Sequence, residues 1–157
     1  MEAELTREDW ETVVNRTHPI EFGWIGADQY GRLGYFSTYG KAYIPNRVLF
    51  SFKKYLGLAN LINSLPDIGR STLYIKSKGW FDDWHLHSRQ GIVGYDYQDA
   101  HREVAKQLNR YDLISIPEHY LKLDSKNDIL SFEDIIPRFQ TTFDDNLSFE
   151  TLQKAEM

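Results

Sequence analysis

Apolar side chains recur at helical spacing in two stretches of this chain. In the first, about residues 6–15, Thr6 and Asp9 have the spacing of a capping box, although Asp replaces the usual Glu or Gln. The second, about residues 46–64, predicts the main amphipathic helix of the fold. Gly57 lies inside this helix and indicates a close approach by another backbone. The apolar stripe consists of Val48, Leu49, Phe52, Tyr55, Leu56, Ala59 and Ile62.

Short runs rich in β-branched and aromatic residues predict strands between and after these helices. The first two runs flank a four-residue turn, in which Asp28 is expected to bond local backbone and Gly31 to adopt a positive φ. A weakly apolar segment, about residues 98–109, predicts an inserted helix. The strands are expected at 22–27, 32–37, 71–76, 92–97 and 111–116, with a last one at 146–151.

These elements together predict a single α+β domain over residues 1–157. We expect a mainly antiparallel sheet packed against the one main helix, with a short N-terminal helix and the inserted helix beside it. In this arrangement the aromatic side chains of the sheet face outwards as a docking surface. The last residues, 152–157, are expected to fray.

Composition and charge narrow the class of protein. The chain has no cysteine, which excludes disulfides, thiolate nucleophiles and cysteine-ligated zinc, and we expect no cofactor. Its net charge of −5 arises within residues 124–157, where eight acidic and three basic side chains stand. No basic patch dominates, so a nucleic-acid partner is not expected. No apolar run reaches the roughly 18 residues of a membrane span, and no secretory signal is visible, so we expect a cytoplasmic protein.

One short segment carries the best candidate chemistry. Asp82, Asp83, His85 and His87 lie within six residues, and the two histidines would share a face if the segment were a strand. Such side chains are ligands for divalent metals, so a metal-dependent hydrolase is one hypothesis. No Gly-x-Ser-x-Gly elbow or phosphate-binding glycine loop accompanies them. Partly exposed histidines in an aromatic loop are the alternative explanation.

A second set of residues is typical of a binding surface. Aromatic residues make up 15% of the chain, and arginine among aromatics is a frequent interface anchor. The alternative is structural, since Arg89 can pair with Asp96 or Asp83 and aromatics can pack across strands. The binding candidates are Asp83, Trp84, Arg89, Tyr95 and Asp96.

The segments WIGADQYGRLGYFST, SRQGIVGYDY and YDLISIPEHYLKL resemble motifs of small, uncharacterised bacterial proteins over about residues 22–124. Some of those proteins resemble immunity proteins of polymorphic toxin systems. Two departures are Gln90, which interrupts an Arg-Gly pair, and Tyr120, which replaces a proline. The resemblance implies a non-enzymatic protein that neutralises a toxin-like protein partner by covering its active site. It implies no catalytic residue.

A structural or ligand-sensing module is the third hypothesis. Such a protein would present a deep apolar pocket rather than a flat face. The sequence leaves the three hypotheses open, and the oligomeric state with them.

Overall fold

A computed structural model describes residues 1–75, 80–97, 108–124 and 126–157. These parts form a mixed structure of helices around one sheet, consistent with a single α+β domain. The α-helices are α1 (Arg7–Asn15), α2 (Phe52–Ser64), α3 (Asp82–Arg89) and α4 (Phe149–Ala155), and 3₁₀ helices span Asn46–Leu49 and Asp128–Ile135. The strands are β1 (Glu21–Ala27), β2 (Leu33–Tyr39), β3 (Ser71–Leu73), β4 (Val93–Asp96), β5 (Arg110–Pro117) and β6 (Leu147–Ser148).

The strands follow the spatial order β1-β2-β4-β5-β3, and β6 pairs with β5. Strands β2 and β4 are parallel, whereas the other pairings among these strands are antiparallel. The sheet is therefore mainly antiparallel, as the sequence predicts. The parallel pair requires a long excursion between its strands, and residues 40–92 supply it with α2, β3 and α3.

Local signals in the sequence place the first elements correctly. Thr6 accepts a hydrogen bond from the Asp9 amide and Asp9 reciprocates, so the predicted capping box begins α1. In the β1–β2 turn, Oδ1 of Asp28 accepts hydrogen bonds from the amides of Tyr30 and Arg32. Gly31 has a φ of 80°, a conformation that other residues adopt at a cost.

The predicted helix over 46–64 is two helices. The 3₁₀ turn at Asn46–Leu49 ends before Ser51, whose side chain accepts a hydrogen bond from the Lys54 amide and begins α2. The close neighbour of Gly57 is also different from the expected backbone. A Cβ on Gly57 would lie 3.0 Å from the ring of Phe132, so the missing side chain makes room for an aromatic.

Four further predictions meet different outcomes. The strand expected at 71–76 is shorter, and the structure describes it at Ser71–Leu73. The helix expected over 98–109 lies almost wholly outside the described residues. The strand expected at 146–151 is the two-residue β6 followed by α4. Of the residues expected to fray, 152–155 belong to α4, where Leu152 is fully buried, and Glu156 forms a β-bridge with Phe139.

The aromatic side chains of the sheet lie inside the protein, contrary to the expected outward face. Trp24 stacks on Phe36 at 4.1 Å between ring centroids, and Phe36 stacks on Tyr95 at 4.8 Å. The three side chains are direct cross-strand partners in β1, β2 and β4. We call these three residues the aromatic ladder. Phe139, Phe143 and other residues of the C-terminal segment 136–157 belong to the same buried cluster.

The opposite face of the sheet is buried as well. Tyr35 and Ile25 alternate with the ladder residues along β2 and β1, so they point to this second face. They share a buried cluster with Leu58 and Ile62 of α2 and with Ile129 of the second 3₁₀ helix. Both faces of the sheet are therefore covered. The sequence suggested one helix packed on a sheet whose other face is open, whereas the structure has buried side chains packed against each face.

The aromatic ladder yields a direct prediction for stability. Phe36→Ala should lower the free energy of unfolding by about 3–5 kcal/mol, because it empties the middle of the ladder. Tyr95→Phe keeps the ring and removes only the hydroxyl bond to the Asp145 carbonyl, so its cost should be about 1 kcal/mol. Urea unfolding followed by tryptophan fluorescence measures both. Equal losses in the two variants would contradict the assignment.

Candidate functional site

Helix α3 packs on the sheet through the side facing β3, β4 and β5. The ring of Trp84 covers Gly94, where an added Cβ would lie 3.0 Å from Cδ1, and its Nε1 donates to the Tyr95 carbonyl. Ser88 donates to the Ile92 carbonyl and lies 2.6 Å from the hydroxyl of Ser115. These contacts fix the helix on its inner side and leave its outer side free to present other residues.

The outer side and the chain next to it carry exposed apolar and acidic side chains. Trp80, just before α3, is 79% exposed, and Tyr74, just after β3, is 49% exposed. The Ile68 amide donates to the Arg89 carbonyl, which brings the chain before β3 to the C-terminal end of α3, whereas Trp80 lies at its N-terminal end. We call this surface the α3 corner, and it consists of Ile68, Tyr74, Trp80, Asp82, Asp83 and Leu86.

Asp82 and Asp83 occupy the first turn of α3, where the positive end of the helix dipole favours carboxylates. Both side chains are exposed. Within the described residues neither carboxylate forms an ion pair or a hydrogen bond. The corner therefore presents negative charge beside a large apolar ring.

The predicted binding residues do not form one surface. Asp83 is exposed, Trp84 is half-buried with its Nε1 bonded to backbone, and Arg89 forms an ion pair with Asp67 at 3.3 Å. Tyr95 belongs to the aromatic ladder and is fully buried, and Asp96 is buried beside it in β4. A partner at the surface would therefore meet Asp83 and parts of Trp84 and Arg89, but neither of the two β4 residues.

The four predicted metal ligands also diverge. His85 and His87 lie on a helix rather than a strand, so positions two apart point to different sides instead of sharing one. Nδ1 of His85 lies 2.7 Å from the hydroxyl of Ser71, whereas His87 is buried. Among the residues that the structure describes, no three His, Asp or Glu side chains are grouped to hold a metal ion.

The contact between Ser71 and His85 joins a hydroxyl to a base, the first half of an activated nucleophile. Such a device needs a further group that orients the histidine. In the described parts of the chain no carboxylate bonds to His85. The contact is explained by its position, because it connects α3 to the edge strand β3.

His87 has a structural role. Its ring packs on Tyr35 at 4.4 Å, and its Nδ1 lies 2.9 Å from Oε1 of Gln90. The amide group of Gln90 donates to the carbonyls of Ile62 and Leu65, so this pair ties α3 to the end of α2. Burial, with a smaller contribution from the Met1 amine 3.3 Å away, lowers the pKa of His87 from 6.5 to about 4. The imidazole is accordingly neutral at pH 7.

Comparison with protein-family models, curated proteins and solved structures finds no match for the chain. The resemblance to immunity proteins therefore stays a prediction from the quoted motifs. In the described part of the chain no helix has both the length and the apolar character needed to cross a bilayer.

Sequence reasoning did not select Trp80, the most exposed ring of the α3 corner. Trp80 lies two residues before Asp82, the first of the four predicted metal ligands. A usable signal was present, since a tryptophan placed just before the two acidic residues of a helix start does not belong to the helix's buried stripe. The sequence predicts a polar-aromatic loop or a short helix over 79–90, and only the helix, which α3 forms, separates Trp80 from the buried stripe.

The lowered pKa of His87 predicts a pH-dependent stability. Between about pH 6.5 and pH 4 the unfolded chain binds a proton that folded His87 does not, so stability falls as the pH falls through this range. His87→Gln should remove about 3 kcal/mol of that dependence, given about 1.4 kcal/mol per pKa unit. Urea unfolding at several pH values measures it.

The exposed His119 provides the matched control. His119→Gln removes an exposed imidazole and should leave the free energy of unfolding at pH 7 within about 0.5 kcal/mol of the wild type. If His87→Gln and the wild type have parallel stability curves from pH 7 to pH 4, the buried, neutral state assigned to His87 is wrong.

Proposed function

We propose that this chain is a non-enzymatic protein-binding module that docks a basic partner protein on the α3 corner. The observation that carries the proposal is Trp80, a tryptophan left 79% exposed beside the two unpaired carboxylates of Asp82 and Asp83. Tryptophan is enriched among the residues that dominate binding energies at interfaces. An exposed indole indicates an interaction site when further exposed apolar side chains lie around it.

The distribution of exposed apolar side chains supports the choice of surface. Eight large apolar side chains are exposed in the described residues, and single ones are ordinary on protein surfaces. Half of the eight lie on α3 or on the segments beside it, which we assign to the α3 corner. These four are Ile68, Tyr74, Trp80 and Leu86.

Charge supports a basic partner in particular. Asp82 and Asp83 place two negative charges at the rim of the apolar surface, on a chain whose net charge is −5. Oppositely charged patches raise association rates and reject partners of the wrong sign. A partner with lysine or arginine around an apolar pocket is complementary to this surface in both respects.

The rigidity of α3 favours binding by a preformed surface. The inner side of the helix is fixed by the Trp84 and Ser88 contacts, and its C-terminal end is fixed to α2 through Gln90. A surface that is already ordered loses less entropy when a partner binds.

Occlusion of a toxin is the specific form of this proposal. The motif resemblance implies an immunity-like role, in which the α3 corner covers a basic active site and so blocks substrate access. A cytoplasmic location belongs to the same proposal, since a toxin is neutralised where it acts. Asp83 is the one predicted binding residue that lies fully within this surface, with Trp84 and Arg89 at its border.

The test uses the native host's proteins passed over the immobilised wild-type chain, followed by calorimetry on the purified binary complex. Trp80→Ala should weaken that complex roughly tenfold or more, because it removes the central ring. Asp82→Lys with Asp83→Lys should also weaken it, and the wild-type affinity should fall as salt is raised.

Two matched controls accompany these variants. Phe50→Ala removes an equally exposed ring, 75% exposed, outside the corner, and Asp128→Lys reverses an exposed acid at the start of a 3₁₀ helix. Both should bind like the wild type. The proposal is refuted if the immobilised chain retains no stoichiometric partner. It is also refuted if the corner variants bind the partner as tightly as the wild type does. Trp80→Ala and Phe50→Ala change exposed side chains, so their thermal midpoints should match the wild type. The lysine variants each replace an acid in the first turn of a helix, so both should unfold at a slightly lower temperature, and Asp128→Lys controls for this effect.

A further inference from the structure

A cavity of about 430 Å³ lies where the end of α1 meets the end of β2. Its lining includes Arg16, His18 and Lys41, together with Pro19 and Tyr39. The cavity is built from elements other than those of the α3 corner. Its volume falls within the range of about 300–1,000 Å³ that is usual for small-molecule sites.

The hairpin register brings these residues together. Glu21 pairs with Tyr39 at the end of the β1–β2 ladder, so the chain before β1 lies beside the chain after β2. Arg16 ends α1 in the left-handed conformation with a φ of 55°, which turns the chain towards β1. Nη1 of Arg16 then donates to the Gly40 carbonyl at 3.2 Å and joins the two walls.

The cavity carries positive charge without a compensating acid. Arg16 and Lys41 are cations, and none of the residues lining the cavity is acidic. Within the described residues, the guanidinium of Arg16 bonds to the Gly40 carbonyl and to no carboxylate. Partial desolvation of the guanidinium lowers the pKa of Arg16, although the residue as a whole is exposed. An anion in the cavity would offset that cost.

The dipole of helix α1 explains the position of one of the two cations in the cavity lining but not of the other. A cation near the C-terminal end of α1 interacts favourably with the helix dipole, which accounts for Arg16. Lys41 belongs to the segment after β2 and has no such helix. Arg16 and Lys41 line one cavity from different elements, and an anionic ligand bound there would interact with both.

We propose that this cavity binds the phosphate group of a small organic phosphate. Arginine offers a planar fork of donors for phosphate oxygens, and lysine adds a point charge. The imidazole of His18 supplies a further donor at the same lining. Tyr39 and Pro19 provide apolar walls for the organic part of the ligand. The site is independent of the proposed docking of a protein on the α3 corner, and either can fail without the other.

Amide chemical shifts measured by NMR during titration test the proposal. The probes are inorganic phosphate and phenyl phosphate, added at constant ionic strength with sodium chloride as the reference salt. Both should cause saturable shifts at residues 16–19 and 39–41. Phenyl phosphate should bind more tightly than inorganic phosphate, because its ring contacts the apolar walls. Shifts no larger than those of chloride would overturn the proposal.

Variants separate the site from a general charge effect. Arg16→Gln and Lys41→Gln should each weaken phenyl phosphate binding, Arg16→Gln by roughly tenfold or more, because the fork is lost. Arg47→Gln and Lys53→Gln remove equal charges from exposed positions outside the cavity and should bind like the wild type. Equal weakening by the control variants would overturn the site. Lys41 does not tie the cavity walls together, so Lys41→Gln keeps the test valid if Arg16→Gln unfolds.

Benzoate distinguishes phosphate from carboxylate recognition. It has the same ring as phenyl phosphate and carries a carboxylate in place of the phosphate. Benzoate should bind at least several-fold more weakly, because a phosphate offers more charge and more acceptor oxygens to the arginine fork. Equal affinity for the two probes would show that the site does not select phosphate.

Discussion

The aromatic ladder of Trp24, Phe36 and Tyr95 is the contact on which the rest of the structure depends. Its ring planes are nearly parallel, at 8° and 3°, and each ring lies directly opposite the next across the strands. Phe143 and Tyr111 meet Phe36 edge-on from the surrounding segments. Because side-chain direction alternates along a strand, the ladder forms in one register of β1, β2 and β4 only.

Burial of the aromatic ladder also removes its tyrosine hydroxyl group from the surface, where it could otherwise bind a partner or ligand. The hydroxyl groups of the two ladder-associated tyrosines are used internally, since Tyr95 donates to the Asp145 carbonyl and Tyr111 donates to the Tyr43 carbonyl. The high aromatic content is thus mostly core material, which accords with the expectation that buried polar groups find partners. The surface chemistry that remains is local: an apolar and acidic corner at α3, and a basic cavity beside α1.

Short-range patterns predicted the capping box of α1 and the turn at Asp28–Gly31, because each depends on residues within one turn. The burial of Tyr95 was not predictable in the same way, since β1, β2 and β4 are buried on both faces and alternation no longer marks the outside. The sequence leaves a loop or a short helix open around His85 and His87, and a shared histidine face requires a strand, so the helix that forms separates the two side chains. The basic cavity could have been predicted, because the hairpin already places Arg16 near Lys41.

The parallel pairing of β2 with β4 has a consequence for the order of folding. The excursion over residues 40–92 must be synthesised before Tyr95 can meet Phe36, and closing so long a loop carries an entropic cost. Until Tyr95 packs on Phe36, a newly synthesised β1–β2 hairpin exposes apolar side chains on both of its faces. Ribosome-bound chains of this length are therefore expected to need shielding by chaperones, and full cooperativity arrives only when residues 136–157 close over the sheet.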